Sequence, residues 1–189
     1  MHLSQDQVIN LLRSCGAFLE GHFLLSSGRH SHIYVEKFRL LEHPDLTSKI
    51  ARGIAEHFSS ANADLIVGPL TGGVLVAHEV AKVLAKPIAF PERIEDVMQW
   101  RRGFEIKKGM RVLVCEDVIT TGKSAGEVVE AVEREGGIVC GIGCLIQRGR
   151  TDLKPAPFAV VKLDLESFLP IDCPLCRQEI PLTKRGSRV

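Results

Sequence analysis

The residues best able to do chemistry lie in one stretch, Val112 to Ala125, which reads VLVCEDVITTGKSA. An apolar strand runs into two adjacent carboxylates, Glu116 and Asp117, and Thr120-Thr121-Gly122-Lys123-Ser124 then opens a helix. Such a turn offers backbone N–H groups and hydroxyls, and the helix dipole favours an anion, so a phosphate fits there. The two acids repel a phosphate and suit hydroxyl donors or a metal-linked group. Hydroxyl acceptors beside a phosphate cradle match the needs of a sugar phosphate. The plainer reading is a strand–turn–helix with a Ser N-cap and two solvated acids.

Spacing removes two rival phosphate motifs. Gly122-Lys123-Ser124 resembles the end of a nucleotide-triphosphate loop, but that loop needs glycine at position 117, which is Asp117. Gly141-Ile142-Gly143 would need glycine at position 146 for a dinucleotide fingerprint, and Ile146 stands there. A second glycine-bearing loop, Gly68-Pro69-Leu70-Thr71-Gly72-Gly73, follows the apolar Leu65-Ile66-Val67. Near the end, Cys173-Pro174-Leu175-Cys176 has C-x-x-C spacing, which is half of a zinc site. The seven histidines are scattered without H-x₃₋₅-H spacing, and no His/Asp/Glu cluster has metal-ligand spacing. Three readings of the cysteine pair stay open: a structural thiol pair, half of a metal site shared with another subunit, and a redox pair.

These loops need strands and helices to hold them. Apolar spacing predicts a helix over 5–14 and another over 44–58, with Pro44 in its first turn. Two short apolar stretches around Ser26-Ser27-Gly28-Arg29 predict a hairpin or turn between 17 and 34. Strands are predicted at 65–67, 88–90, 111–116, 138–146 and 158–163, with helices at 74–84 and 124–135. Gly136-Gly137 closes the last of these helices. Alternating strands and helices imply a parallel α/β sheet covered on both faces. Ligands of such sheets bind at the carboxyl ends of the strands, where both glycine-bearing loops fall.

Composition narrows the function classes. The 189 residues suffice for one domain. The 24 basic and 23 acidic residues balance to a net charge of +1, which argues against a nucleic-acid surface, as does the 5% aromatic content. No apolar run of about 18 residues predicts a membrane span. The N-terminus lacks the basic and apolar regions of a secretory signal. Cys115, Cys140 and Cys144 lie in apolar runs, as reduced buried thiols do, and the expected compartment is the cytoplasm.

Glu116 to Ser124 closely resembles the phosphoribosyl diphosphate (PRPP) motif of type I phosphoribosyltransferases. The segment Gly21 to Ser31, with Ile33-Tyr34-Val35 after it, resembles the N-terminal hood of the orotate phosphoribosyltransferases and carries their F-x-L-x-S-G-x-x-S pattern. Gly68 to Gly73 is similar to the family's pyrophosphate loop, and Leu145-Ile146-Gln147-Arg148 to its strand ending in an arginine near orotate. The resemblance runs from about residue 8 to about residue 165.

The resemblance implies a type I phosphoribosyltransferase fold, a central mostly parallel sheet flanked by helices, with a small N-terminal hood. It implies one domain over 1–189, with the hood in 1–40, the α/β core in 60–165 and a C-x-x-C tail in 170–189. The implied reaction joins orotate to the ribose of PRPP, giving orotidine 5′-phosphate and pyrophosphate in pyrimidine synthesis. Glu116 and Asp117 would take the ribose hydroxyls. The stretch Val118, Ile119, Thr120, Thr121, Gly122, Lys123 and Ser124 would complete the PRPP site, with Thr71 and Gly72 at the pyrophosphate. Arg148, Thr120, Tyr34 and Val35 would meet orotate. Mg²⁺ would ride on pyrophosphate oxygens, and a homodimer would complete its sites across the interface. A phosphoribosyltransferase for a purine or other base, and a non-catalytic PRPP sensor, are the alternatives.

The chain departs from the family in places. The family's mobile loop, R-K-x-x-K-x-H-G, corresponds to Phe90 to Ile106, which has no lysine and no histidine. Arg93, Arg101 and Arg102 are the cations that remain there, and with Asp117 they are the candidate catalytic residues. Ser26 stands where many members have lysine, and Thr71 and Gly72 replace a tyrosine and a lysine. Trp100 is expected to be a packing anchor, and Lys184 to Arg188 to be a disordered tail.

Overall fold

A computed structural model of the chain describes residues 3–25 and 27–185. Ser26, and the tail residues from 186 onward, lie outside the described residues. The first helix, α1 (Gln5–Ser14), starts from a reciprocal cap between Ser4 and Gln7 and buries Val8 and Leu12. Strands β1 (Phe18–Leu24) and β2 (His30–Val35) form an antiparallel hairpin. A short helix, α2 (Lys37–Leu41), leads into α3 (Pro44–His57), which carries Pro44 at its start.

The central sheet is built from β3 (Leu65–Val67), β4 (Ile88–Ala89), β7 (Arg111–Ile119), β8 (Ile138–Arg148) and β9 (Phe158–Leu163), in the order β4-β3-β7-β8-β9. All four neighbouring pairs are parallel. Helix α4 (Gly72–Leu84) connects β3 to β4, and α5 (Lys123–Arg134) connects β7 to β8. From β3 the chain winds outward to β4, then returns to β7 and winds the other way. The winding therefore reverses between β3 and β7, and the loops after these two strands open side by side. That switch point is where parallel sheets leave a crevice for ligands.

Side chains alternate across the sheet and feed two cores. Ile66, Leu113, Cys115 and Leu145 pack with α1, α3 and α4. Val67, Val112, Val114 and Cys144 pack with α5, together with Trp100, Phe104 and Ile106. The expected α/β sheet with helices on both faces is the observed architecture.

Three details differ from expectation. β7 runs through the acid pair to Ile119, because its ladder with β8 continues to Ile119 opposite Gln147. A small hairpin of β5 (Glu92–Ile94) and β6 (Val97–Gln99) occupies the segment expected to be a mobile loop. Lys184, expected to be disordered, lies in β10 (Thr183–Lys184), which pairs with β1 beside a short α6 (Pro174–Arg177).

Candidate functional site

The 68–73 loop passes close over the acids on β7. A Cβ on Gly72 would lie 1.6 Å from Asp117 Oδ2, and one on Gly73 would lie 2.9 Å from Glu116 Oε1. Glycine is therefore required wherever the 68–73 backbone passes over the end of β7. The Leu70–Thr71 peptide in this loop is cis. Thr71 itself is exposed at the start of α4.

Glu116 and Asp117 are both buried. The Asp117 N–H donates to Glu116 Oε1 at 3.0 Å, and the Val118 N–H to Asp117 Oδ1 at 2.5 Å. Asp117 Oδ2 accepts no aligned hydrogen bond, although Lys37 Nζ lies 2.8 Å away. Burial pulls the Lys37 ammonium down, but the adjacent Asp117 carboxylate outweighs it and leaves the group raised overall. Burial, followed by the charge of Asp117, pushes Glu116 well above the usual carboxylate range. One of two adjacent acids thus favours its proton while its neighbour is held by a cation.

Beyond the acids, Val118 is half-buried and Ile119 is packed in the core. Thr120 and Thr121 are exposed at the loop. Gly122 takes φ +81° at the N-cap of α5, and its Cβ would collide with Thr151 and Leu153. The N-cap is therefore Gly122, which offers no side chain to the first turn, and Ser124 lies within the helix. An α-helix leaves its first N–H groups without intrahelical partners, so this end of α5 presents donors. The Lys123 N–H reaches Thr121 Oγ1 at 3.4 Å, a weak contact that leaves room for an anion.

Arg148 ends β8, and its Nε is buried with no hydrogen-bond partner. Burial draws the guanidinium below its usual range, and the nearby Tyr34 partly offsets this. Tyr34 is raised in turn by burial and by Glu36. The side chains of Tyr34 and Arg148 are thus brought together, whereas that of Val35 points into the core with Leu40 and Leu12.

The cations of the Phe90–Ile106 segment are placed differently. Arg93 pairs with Glu127 of α5, with one N–O contact of 3.2 Å and a second shorter one. Arg102 Nε donates to Glu92 Oε1 at 2.6 Å. Arg101 is exposed. Trp100 donates to the Ala131 carbonyl at 3.1 Å and packs in the α5 core, as an anchor does.

Sequence reasoning missed Lys37. Its partner lies eighty positions away, so no local spacing signals the pair. It also missed that His22 and His30 converge on Cys173 and Cys176, because the histidines come together through the hairpin and not along a helix.

The parallel sheet, its switch-point loops and the acid pair define a phosphoribosyl transferase domain, and that family matches residues 39–169. The chain is 44% identical over 188 residues to the orotate phosphoribosyltransferase of Pelotomaculum thermopropionicum, covering 98% of this chain and 99% of that protein. Its fold is similar to the crystal structure of orotate phosphoribosyltransferase from Aeropyrum pernix (TM-score 0.71, 30% identity, 82% of this chain and 93% of that one). It is also similar to the Mycobacterium tuberculosis H37Rv orotate phosphoribosyltransferase in complex with inorganic phosphate (TM-score 0.65, 26% identity, 84% and 95%). The chain belongs to the orotate phosphoribosyltransferase family.

Proposed function

We propose that the protein transfers the 5-phosphoribosyl group of PRPP to orotate, giving orotidine 5′-phosphate and pyrophosphate. The observation that carries the choice of base is Arg148. Its buried, unpartnered Nε sits beside Tyr34, on the strand next to the one bearing the acids. A buried guanidinium N–H without a partner is costly, and a planar carboxylate such as that of orotate satisfies it together with a second N–H by a bidentate bond.

In the reaction the C1′–oxygen bond to pyrophosphate breaks as the N1 of orotate bonds C1′, and the N1 proton is released to solvent or to the departing pyrophosphate. Positive charge builds on the ribose, so the protein's part is positioning and charge stabilisation. Glu116 and Asp117 accept the ribose hydroxyls. Residues 120–124, at the open end of α5, hold the 5′-phosphate. The 68–73 loop, with Thr71 and Gly72, holds pyrophosphate. Tyr34, Thr120 and the Val35 backbone flank the base. Arg93, Arg101 and Arg102 supply the cationic charge that lysines give in other members. Arg93 and Arg102 must leave Glu127 and Glu92 to do so, while Arg101 is already exposed.

Mg²⁺ belongs to this reading. Lys37 holds Asp117 and Glu116 favours its proton, so the acid pair makes a poor direct ligand set. Among the described residues no acidic cluster offers three ligands. Mg²⁺ would instead be carried on the pyrophosphate held by the 68–73 loop, and would supply charge neutralisation of the leaving group there. The same proposal treats residues 1–189 as one unit acting in the cytoplasm as a homodimer. No described helix is long and apolar enough to cross a membrane.

The test mixes protein, Mg²⁺, PRPP and orotate and follows the loss of orotate absorbance. Turnover is expected. Turnover with a purine base and none with orotate would overturn the choice of base. Turnover with neither would support the non-catalytic PRPP sensor. Sedimentation checks the dimer.

A further inference from the structure

We propose that His22, His30, Cys173 and Cys176 bind one Zn²⁺ in a closed, four-coordinate site. The ligand atoms of these side chains all lie within 4.8 Å of one another. His22 Nε2 is 2.9 Å from His30 Nδ1, 3.5 Å from Cys173 Sγ and 3.8 Å from Cys176 Sγ. Cys176 Sγ is 3.3 Å from His30 Nδ1. A tetrahedral zinc with Zn–S of about 2.3 Å and Zn–N of about 2.0 Å sets its donors roughly 3.3–3.8 Å apart. The measured spacings are close to that shell.

Hydrogen bonding alone explains the cluster poorly. His22 Nδ1 lies 2.7 Å from the Ile180 carbonyl, so it carries the proton and donates. Nε2 then holds a single lone pair, yet three polar atoms crowd it. A metal ion at the centre uses that lone pair together with those of His30 and the two sulfurs. The Ile180 contact is also the one a zinc-bound imidazole needs, because it fixes the tautomer and aims the ring. Both thiols are free, and His22, His30 and Cys173 are buried. On binding, each cysteine S–H loses its proton to solvent, and two thiolates offset the charge of the ion. Two imidazoles and two thiolates select zinc over Mg²⁺, which prefers oxygen.

The site is intramolecular, unlike a half-site shared with another subunit. It fastens the C-terminal segment to the β1–β2 hairpin, which other contacts also join. The His30 and Phe168 backbones exchange hydrogen bonds of 2.8 Å, Arg29 Nε donates to Ser167 Oγ at 2.8 Å, and Ser31 Oγ donates to the Glu166 carbonyl at 3.0 Å. The hairpin carries Tyr34 and runs directly into Lys37. Zinc therefore braces the hairpin from which Tyr34 approaches Arg148 on β8 and after which Lys37 meets Asp117 on β7.

Metal analysis of the full-length protein, purified without chelator, tests the assignment. We expect about one zinc per chain, falling about tenfold or more in Cys176→Ser and His22→Gln. Cobalt substituted for zinc should give tetrahedral ligand-field bands and a thiolate charge-transfer band, which the variants lack. If the variants fail to fold, stripping the wild type with chelator and refilling it settles the matter. Uptake of one zinc, with Cys173 and Cys176 then protected from alkylation, supports the site. A wild type that takes up no zinc, a Cys173–Cys176 disulfide in its place, or full zinc content in the variants overturns it.

Discussion

Lys37 Nζ lies 2.8 Å from Asp117 Oδ2, joining the residue just past the hairpin to the acid on the central strand. The pair is lopsided: the aspartate side chain is 2% exposed and the lysine 38%. The cation therefore compensates a carboxylate that water cannot reach. It also occupies the oxygen that a ribose hydroxyl would use, so binding PRPP requires Lys37 to shift or share.

Removing the cation should expose that dependence. Lys37→Met leaves a buried carboxylate without its counter-charge, at a cost of about 1–2 kcal/mol because the lysine is partly solvated. For a chain of this size that is a fall in Tm of roughly 2–8 °C. Asp117→Asn should lower kcat/KM for PRPP by at least about a hundredfold while the fold persists. Thermal melts and PRPP titrations check both. An unchanged PRPP dependence in Asp117→Asn would remove that residue from the ribose site.

Glu116 gives a pH signature. Its folded-state pKa is raised by burial and then by Asp117. The folded protein thus holds a proton that the unfolded chain releases. The stability this contributes is full below the ordinary glutamate pKa of about 4.3 and is lost as pH rises through the raised value. Glu116→Gln cannot titrate, so its Tm should gain on the wild type as pH climbs above about 5. PRPP use should fall in the same variant. Melting curves across pH decide the matter, and a Tm difference that does not move with pH would contradict the assignment.

Arg148→Lys keeps a positive charge and loses the planar fork. The KM for orotate should rise about tenfold to a hundredfold, while the KM for PRPP stays near the wild-type value. Steady-state kinetics with each substrate varied separates the two. Equal rises in both would place Arg148 outside the base site.

The cations of the β5–β6 segment can be ranked in the same way. Arg101 is exposed, whereas Arg93 and Arg102 hold Glu127 and Glu92. Arg101→Ala should cut kcat about tenfold or more with Tm almost unchanged, since surface changes cost little stability. Arg93→Ala should lower both. A kcat unaffected by Arg101→Ala would deny that residue a part in charge stabilisation.

What was legible in the sequence was whatever a short window contains. The Val112–Ala125 stretch shows a strand, its acids and a helix start in consecutive residues, and the alternation of elements implies the parallel sheet. Pairings across distance were hidden. Lys37 meets Asp117, and His22 and His30 meet Cys173 and Cys176, only after the sheet and hairpin form. The β5–β6 turn was hidden for another reason. Glu95 and Asp96 both take positive φ, at 47° and 62°, where a two-residue hairpin turn usually carries Asn-Gly. The extension of β7 past Glu116, through Asp117 to Ile119, was masked by the charge of the acid pair, which reads as a strand end.

Gly72 provides the most direct test of how the two loops depend on each other. Its backbone lies so close to β7 that an added Cβ would fall 1.6 Å from Asp117 Oδ2 and 3.1 Å from Leu41 Cδ1. Asp117 cannot simply swing away, because Oδ1 is engaged by the Val118 N–H and Oδ2 by Lys37. Gly72→Ala must therefore push the 68–73 loop off the sheet or rotate the carboxylate out of its ion pair. Either response disturbs the pyrophosphate loop and the ribose acids together. The expected result is a loss of at least about a hundredfold in kcat/KM, because misplacement by about 1 Å is enough to cost that much. Adding Asp117→Ala removes the clashing oxygens, so the double variant should recover the Tm lost in Gly72→Ala without recovering activity. Calorimetry on the two single variants and the double variant reads this coupling, and purely additive Tm losses would show that the loop and the acid do not constrain each other.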